Sequence, residues 1–380
     1  MANNLSFDEF HQRRHYQCLD GLRGLAVVLV MWHHGRLHSG GIVFGRGFLG
    51  VEMFFVLSGF LIVSLLLRER RELGAISLRR FYARRALRIL PPFYGLLALL
   101  ALGHAATRNS YSAAFFQQLP FQVGHLANWV RGDVLGLTMS WTLATEEQFY
   151  LVIPFLVVVV PRRFLGWCLG VLGAFSALLW TSVPGPLLKS IYGTSHPNLV
   201  FLEATYMSLI LGALMACAFE SKRTFELLAN VAKHRSLRTF ITVAMVAVAA
   251  FSPLVGGGPW RFAFQVLSAG WIAGLVLQPS RLASWFFEHR ATRRLGTISY
   301  GLYLYHLVCF GPAFKISARL GATSRWVGFA IGCLVTYLVA SASYRFFEQP
   351  IARYAARFKP ENATRRQVAG TVHSPTAATD

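Results

Sequence analysis

Apolar runs of roughly twenty residues return at short intervals from one end of the chain to the other, each closed by polar or basic residues. In helical form a run of that length matches the hydrocarbon thickness of a bilayer. Ten such spans are predicted, near residues 19–38, 47–67, 87–104, 139–160, 164–180, 199–219, 239–255, 260–278, 296–314 and 326–347. The gaps between them are too short for a soluble domain of ordinary size. The pattern therefore predicts an all-α integral membrane protein, a bundle of about ten transmembrane helices. Its organisation reads as a segment 1–18, a transmembrane domain 19–350 and a tail 351–380. The stretch after Arg357, with Pro360, Pro375 and many Thr and Ala, is expected to be disordered. Gly256 to Pro259 reads as a tight hairpin between the seventh and eighth spans, because no Lys followed by Ser or Thr makes it a phosphate loop.

Composition agrees with the membrane class, and charge adds an orientation. The chain is 54% hydrophobic and 14% charged, with a net charge of +21. In a soluble protein that excess would point to nucleic acid, which a multi-pass bundle excludes. With both termini inside, the inside loops carry 26 Lys and Arg and the outside loops 9. That bias predicts cytosolic termini. No small-residue cleavage pattern follows the first span, so that helix is expected to be retained. The five cysteines are scattered singly, with neither metal-ligand spacing nor a disulfide framework, and no metal is expected.

Arg23 and His34 interrupt the apolar pattern of the first span. Eleven residues is almost three helical turns, so both face one way, roughly 16 Å apart along the axis. His33 points roughly 80° away. Ionisable groups inside a span mark a functional site by default; the competing reading is an arginine snorkelling to the headgroups and a histidine near the outer surface. Counting helical rise places His34, Glu146 and Glu52 in one layer in the outer half, with both carboxylates turned to the bundle interior, a water-filled cavity or His34. A neutral imidazole near a carboxylate can take a proton from a hydroxyl, since the carboxylate fixes the tautomer and stabilises the imidazolium. His34 is assigned that role.

Arg23 falls near the inner face, close to Arg79, Arg80, Arg84, Arg85 and Arg88, which together make a cytosolic phosphate site. For Arg79 and Arg80 simple topology and attraction to anionic lipid explain the charge better. A donor held there by phosphates and reaching toward His34 must be long and thin, and acyl-coenzyme A has that shape. On the ninth span Ser299, Tyr303 and His306 form one polar stripe, of which interhelical hydrogen bonding is the alternative account, so His306 ranks below His34. Ser58, before Gly59, is expected to bond its own backbone or permit close packing rather than act as a nucleophile. No Ser or Cys has an evident activating base beside it.

Taken in order, these segments resemble the integral membrane acyltransferase-3 family, which transfers acyl groups, often acetyl, from coenzyme A thioesters to hydroxyls on bacterial surface sugars. The resemblance rests on Leu19-Asp20-Gly21-Leu22-Arg23-Gly24 with His34 following, Gly50 to Phe60, Arg84-Arg85-Ala86-Leu87-Arg88-Ile89-Leu90-Pro91, Trp141 to Leu151, Ser299 to His306, and Arg345 to Pro350. It implies that His34 is catalytic, that Arg23, Arg85 and Arg88 place coenzyme A, and that Glu146 lies within the site. Where the family commonly has Asp this chain has Glu52, which keeps the charge but lengthens the reach. Many sugar-acetylating relatives carry an extra extracytoplasmic domain after the helices; none is read in the roughly thirty residues beyond Pro350, so product release by the bundle itself or a separate partner is expected.

The reading is a bacterial inner-membrane, multi-pass O-acyltransferase, with membrane lipids around it and a carbohydrate or lipid-linked glycan as acceptor. His34 acts as the base in direct transfer. The alternative is a proton-coupled transporter or flippase, for which buried His and Glu would be a relay. Trp129 and Tyr192 are candidates to stack on a sugar or to mark the interface.

Overall fold

A bilayer offers no hydrogen-bond partners, so a crossing segment must satisfy its N–H and C=O groups internally. In the computed structural model the described residues, 5–13, 15–35, 44–129, 136–179, 205–251, 258–322, 324–355 and 357, are all helices, turns and connections, with no strand among them. The helices are α1 (Phe7–Gln12), α2 (Gln17–His34), α3 (Leu49–Leu73), α4 (Leu78–Thr107), α5 (Ser112–Val123), α6 (Ser140–Val159), α7 (Arg162–Leu179) and α8 (Thr205–Glu220). They continue with α9 (Lys222–Lys233), α10 (Arg235–Phe251), α11 (Pro259–Leu277), α12 (Arg281–Phe287), α13 (Arg290–Thr297), α14 (Ser299–Arg319), α15 (Arg325–Ser343) and α16 (Gln349–Ala355).

Each of the ten predicted apolar segments holds a helix, and five helical stretches are long and apolar enough to cross a membrane: Leu49–Leu73, Leu78–Thr107, Ser140–Val159, Pro259–Leu277 and Arg325–Ala355. The centre of the bundle is α3, whose Val56, Leu57, Phe60, Val63 and Leu66 are wholly buried. It packs most extensively on α8, while α14 packs on α15 and α2 on α13. Two of these contacts depend on missing side chains. A Cβ on Gly59 would meet the Leu209 carbonyl oxygen at 1.9 Å, and one on Gly296 the Asp20 carbonyl oxygen at 1.8 Å. Small residues let backbones approach this closely where no hydrophobic drive between helices exists in lipid. The outermost faces, such as Trp167 and Phe175 of α7 and Phe240 and Phe251 of α10, leave large apolar side chains exposed, as lipid contact requires.

Two boundaries differ from those expected. The third span begins near residue 78 rather than 87, because arginine is a good helix former and the basic stretch Arg79 to Arg88 stays helical. The tail expected from residue 351 is helical as far as Ala355, as α16 packs against α4; the stretch assigned to disorder after Arg357 lies outside the described residues. Of the expected hairpin, 256–257 lie outside them too, and Gly258 (φ 89°) with Pro259 forms the start of α11. The side chains of Trp129 and Tyr192 are likewise outside the described set.

Candidate active site

Because α2 runs unbroken from Gln17 to His34, it carries Arg23 and His34 at opposite ends of one path. Three spaces mark that path. A cavity of about 690 Å³ at the Arg23 end is lined by Arg23, Arg84, Arg85 and Arg88 with Asp20, Glu220 and Glu348. A throat of about 110 Å³ shares Arg23, Arg85 and Arg88 with it and continues past Ser58 and Glu146 to Thr142 and Tyr303. A second cavity, of about 910 Å³, includes His34 in its wall and lies between α4 and α14.

The hydrogen bonds of the two imidazoles assign their protons. His306, wholly buried, places Nδ1 2.8 Å from the Tyr303 carbonyl oxygen and Nε2 3.3 Å from Nδ1 of His34. His34 Nδ1 is also 3.0 Å from the Val30 carbonyl oxygen. A carbonyl only accepts, so neutral His306 carries its hydrogen on Nδ1 and presents a lone pair at Nε2. His34 then carries its hydrogen on Nδ1, shared between Val30 and His306, and its Nε2 is an unprotonated base.

The sequence expected a carboxylate beside His34. The structure supplies a second imidazole instead: His306, ranked below His34, is the residue hydrogen-bonded to it. The common layer is also corrected. His34 is the last residue of α2, whereas Glu146 lies six residues inside α6, which begins at Ser140. That puts Glu146 about 9 Å down its own helix, in the throat among the arginines. There its Oε1 accepts a 2.5 Å hydrogen bond from Ser58 Oγ. The expectation that no serine has a base beside it is thereby overturned for Ser58.

Glu52 is buried in the interior, as expected, and away from His34. Its Oε1 accepts from the Arg261 guanidinium at 2.5 Å, and its Oε2 from Ser208 at 2.5 Å and Gln265 at 2.8 Å. These partners come from α8 and α11, and Glu52 lines none of the three spaces. A carboxylate so fully partnered holds helices together and is not poised for proton transfer.

The basic group divides. Arg85 lies over the Tyr150 ring at 4.0 Å, and Arg88, deep in the fold, is exposed to the cavity it lines. Arg84 is held by Glu69 at 3.2 Å, and Arg79 and Arg80 are exposed and outside the cavity. The stripe on α14 runs the length of the path: Ser299 in the inner cavity and throat, Tyr303 at the throat's end, His306 on His34. His33 turns to the Gly45 carbonyl at 3.0 Å instead.

Sequence reasoning missed Thr142, Tyr150 and Tyr300. Thr142 and Tyr303, both in the wall of the throat, share a 2.5 Å hydrogen bond, while His34 lines the other cavity. Tyr300 donates to the Ile89 carbonyl oxygen at 2.7 Å. Their only signal in sequence was their place within the segments Trp141 to Leu151 and Ser299 to His306. Among the described residues no group of three or more His, Cys, Asp or Glu is placed to hold a metal ion.

Such an arrangement sets cations at one end, a narrow neck, and an oriented imidazole at the other. The chain is 28% identical over 388 residues to a peptidoglycan O-acetyltransferase of Listeria monocytogenes, covering 93% of this chain and 59% of that protein. It is 25% identical over 381 residues to a Staphylococcus aureus protein provisionally named an O-acetyltransferase, covering 93% of this chain and 60% of the other. A Bacillus subtilis protein provisionally named a peptidoglycan O-acetyltransferase is 28% identical over 375 residues, covering 90% and 56%. The chain thus spans about three fifths of the length of the curated relatives it matches. No solved structure matches. The sequence profile of acyltransferase 3, described as an acyltransferase domain, matches residues 16–345, and the chain belongs to this membrane acyltransferase family.

Proposed function

We propose that this protein is an O-acetyltransferase that moves an acetyl group from acetyl-coenzyme A to a hydroxyl of a glycan, with ten helices crossing a bacterial inner membrane and both termini in the cytosol. The observation that carries the reading is the joined inner cavity and throat, which puts Arg23, Arg85 and Arg88 along one continuous wall. Guanidinium groups match multiply charged phosphates, and the throat admits only a thin arm. The relatives named for O-acetylation, one of them for peptidoglycan, support an acetyl donor and a sugar acceptor; they also favour a transferase over a transporter.

In the proposed reaction the acceptor hydroxyl approaches Nε2 of His34. As its oxygen bonds to the thioester carbonyl carbon, the proton passes to Nε2 and the thiolate of coenzyme A leaves. His306 keeps the Nδ1 hydrogen of His34 directed inward, which leaves Nε2 as the basic atom. For the thioester to reach His34 the arm must displace the hydrogen bond between Thr142 and Tyr303. Ser58 and Glu146 flank that arm, and their pairing makes a covalent acyl-serine the alternative to direct transfer.

Purified protein in lipid nanodiscs, given acetyl-coenzyme A and soluble peptidoglycan strands, should release free thiol and yield ester-linked acetate on the glycan. His34→Ala should lower transfer at least about a thousandfold while the protein stays folded and inserted; near-normal activity would remove the mechanism. Acid quenching with radiolabelled donor and no acceptor should leave the protein unlabelled, and label on Ser58 would replace direct transfer by a relay.

A further inference from the structure

The segment Arg345 to Pro350 carries part of the family resemblance and has no part in the reaction above. Its local form follows from Pro350. A proline has no N–H to give the carbonyl four residues before it, here that of Phe346, and its ring clashes with that carbonyl. The chain answers with a wider turn: Tyr344 to Glu348 is π-helical, and the N–H of Gln349 reaches back to the Tyr344 carbonyl oxygen. Single π-turns of this kind are rare and are frequent at functional sites. This one packs against α4, and its Tyr344 and Glu348 both line the inner cavity.

Glu348 is held on one side only. Its Oε1 accepts from Ser343 Oγ at 3.1 Å. That uses the one hydrogen of the Ser343 hydroxyl, so the 2.9 Å bond between Ser343 and Tyr305 is donated by Tyr305. A Cβ on Gly301 would stand 3.3 Å from the same oxygen. The carboxylate is thus seated beside Ser299 and Tyr300, which belong to the walls of both the inner cavity and the throat. Arg88 is near enough for the two charges to attract, yet among the described residues no ion contact joins them and Oε2 has no hydrogen bond. A carboxylate in a cavity wall, fixed through one oxygen and open at the other, is an acceptor for an N–H or O–H of whatever fills the cavity.

We infer that Glu348 is a binding residue for the uncharged arm of the donor, accepting a hydrogen bond from one of its amide or hydroxyl groups while Arg23, Arg85 and Arg88 hold the phosphates. This rests on the proposed transferase reading with acyl-coenzyme A as donor. The chemistry divides the work. Guanidinium groups only donate and suit phosphate oxygens, whereas a carboxylate only accepts and repels them. In coenzyme A the arm that follows the pyrophosphate carries a hydroxyl and amides. A site for both needs cations and an acceptor side by side, and Arg88 and Glu348 supply them where the cavity meets the throat.

The test separates the two halves of the donor on the intact protein in nanodiscs. Binding of coenzyme A, of pantetheine, which is the arm alone, and of adenosine 3′,5′-bisphosphate, which is the phosphorylated end alone, is measured by displacement of radiolabelled acetyl-coenzyme A. Glu348→Leu should weaken coenzyme A and pantetheine about tenfold, the order of one charge-assisted contact, and spare the bisphosphate. Arg88→Ala should do the reverse. Glu348→Gln keeps an acceptor oxygen and the bond from Ser343; it should melt as the wild type does and lose less pantetheine affinity than Glu348→Leu. Pro350→Ala, which allows an α-turn and so turns the carboxylate away, should reproduce the Glu348→Leu pattern. Unchanged pantetheine affinity in Glu348→Leu, or a parallel loss of all three ligands, would overturn the inference and leave the transferase standing. A wild-type protein that binds none of the three would remove the coenzyme A reading and the inference with it.

Discussion

Glu52 and Glu146 look alike in the sequence, each a carboxylate inside an apolar helix, and the fold gives them opposite tasks. Glu52 has Arg261, Ser208 and Gln265 around it and lines none of the three spaces along the path. Glu146 has Ser58 and Tyr150 as hydrogen-bond partners and looks into a throat lined by three arginines. A buried charge costs free energy unless it is paired, so each must be accounted for. Where the partners come from neighbouring helices and fill every lone pair, the group is fastening the bundle. Where they leave it facing open space beside like-placed cations, it is available to a ligand.

The comparison breaks most directly at the fastening site. Glu52→Ala leaves Arg261 buried beside an empty acceptor and should cost about 3–5 kcal/mol, read as a large loss of thermal stability in detergent. Exchanging Arg261 for Gln in the same protein should recover part of it. A Glu52→Ala protein as stable as the wild type would deny the pairing its structural role. At the other carboxylate the readout is exchanged: Glu146→Gln should melt normally and lose about a hundredfold in transfer, and unimpaired turnover would put Glu146 with Glu52. Arg88→Ala sharpens the assignment of the throat's cations. It should raise the KM for acetyl-coenzyme A about tenfold, the order of one charge-assisted contact, with a smaller change in kcat; an unaltered donor KM would take Arg88 out of the donor site. The mildest change is Tyr303→Phe, which removes one hydrogen bond, about 1 kcal/mol. A few-fold change in kcat and little in stability are expected, and a complete loss of activity would mean that Tyr303 does more than close the throat.

Much of the bundle could be read from the chain because bilayer thickness imposes a length on each apolar run. The Arg23 and His34 register was equally legible, since a continuous helix fixes both direction and spacing. The partner of His34 was not legible. Imidazole and carboxylate are both plausible neighbours by chemistry, and helix pairing, which puts α14 against α2, is a long-range contact that no local pattern encodes. Depth failed for a related reason: a count along one helix does not say which residues of neighbouring helices meet it, and Glu146 meets Ser58 while Glu52 meets Arg261. The start of α4 was misread because hydropathy marks the lipid-facing portion of a helix, while its basic second and third turns, with Arg84, Arg85 and Arg88, line a cavity.

The sequence by itself determined which segments become helices, where the basic residues concentrate, and that an arginine and a histidine share a face of the first long helix. These follow from covalent order, helical periodicity and the cost of unsatisfied backbone in lipid. Only the tertiary structure decided that His306 meets His34, that Glu52 belongs to Arg261 and Glu146 to the throat, and that Thr142 and Tyr303 are hydrogen-bonded to each other in the throat wall. Those are contacts between helices far apart in the chain. Their energies depend on which faces meet and how closely glycine lets them approach, and that is settled by packing the whole bundle at once.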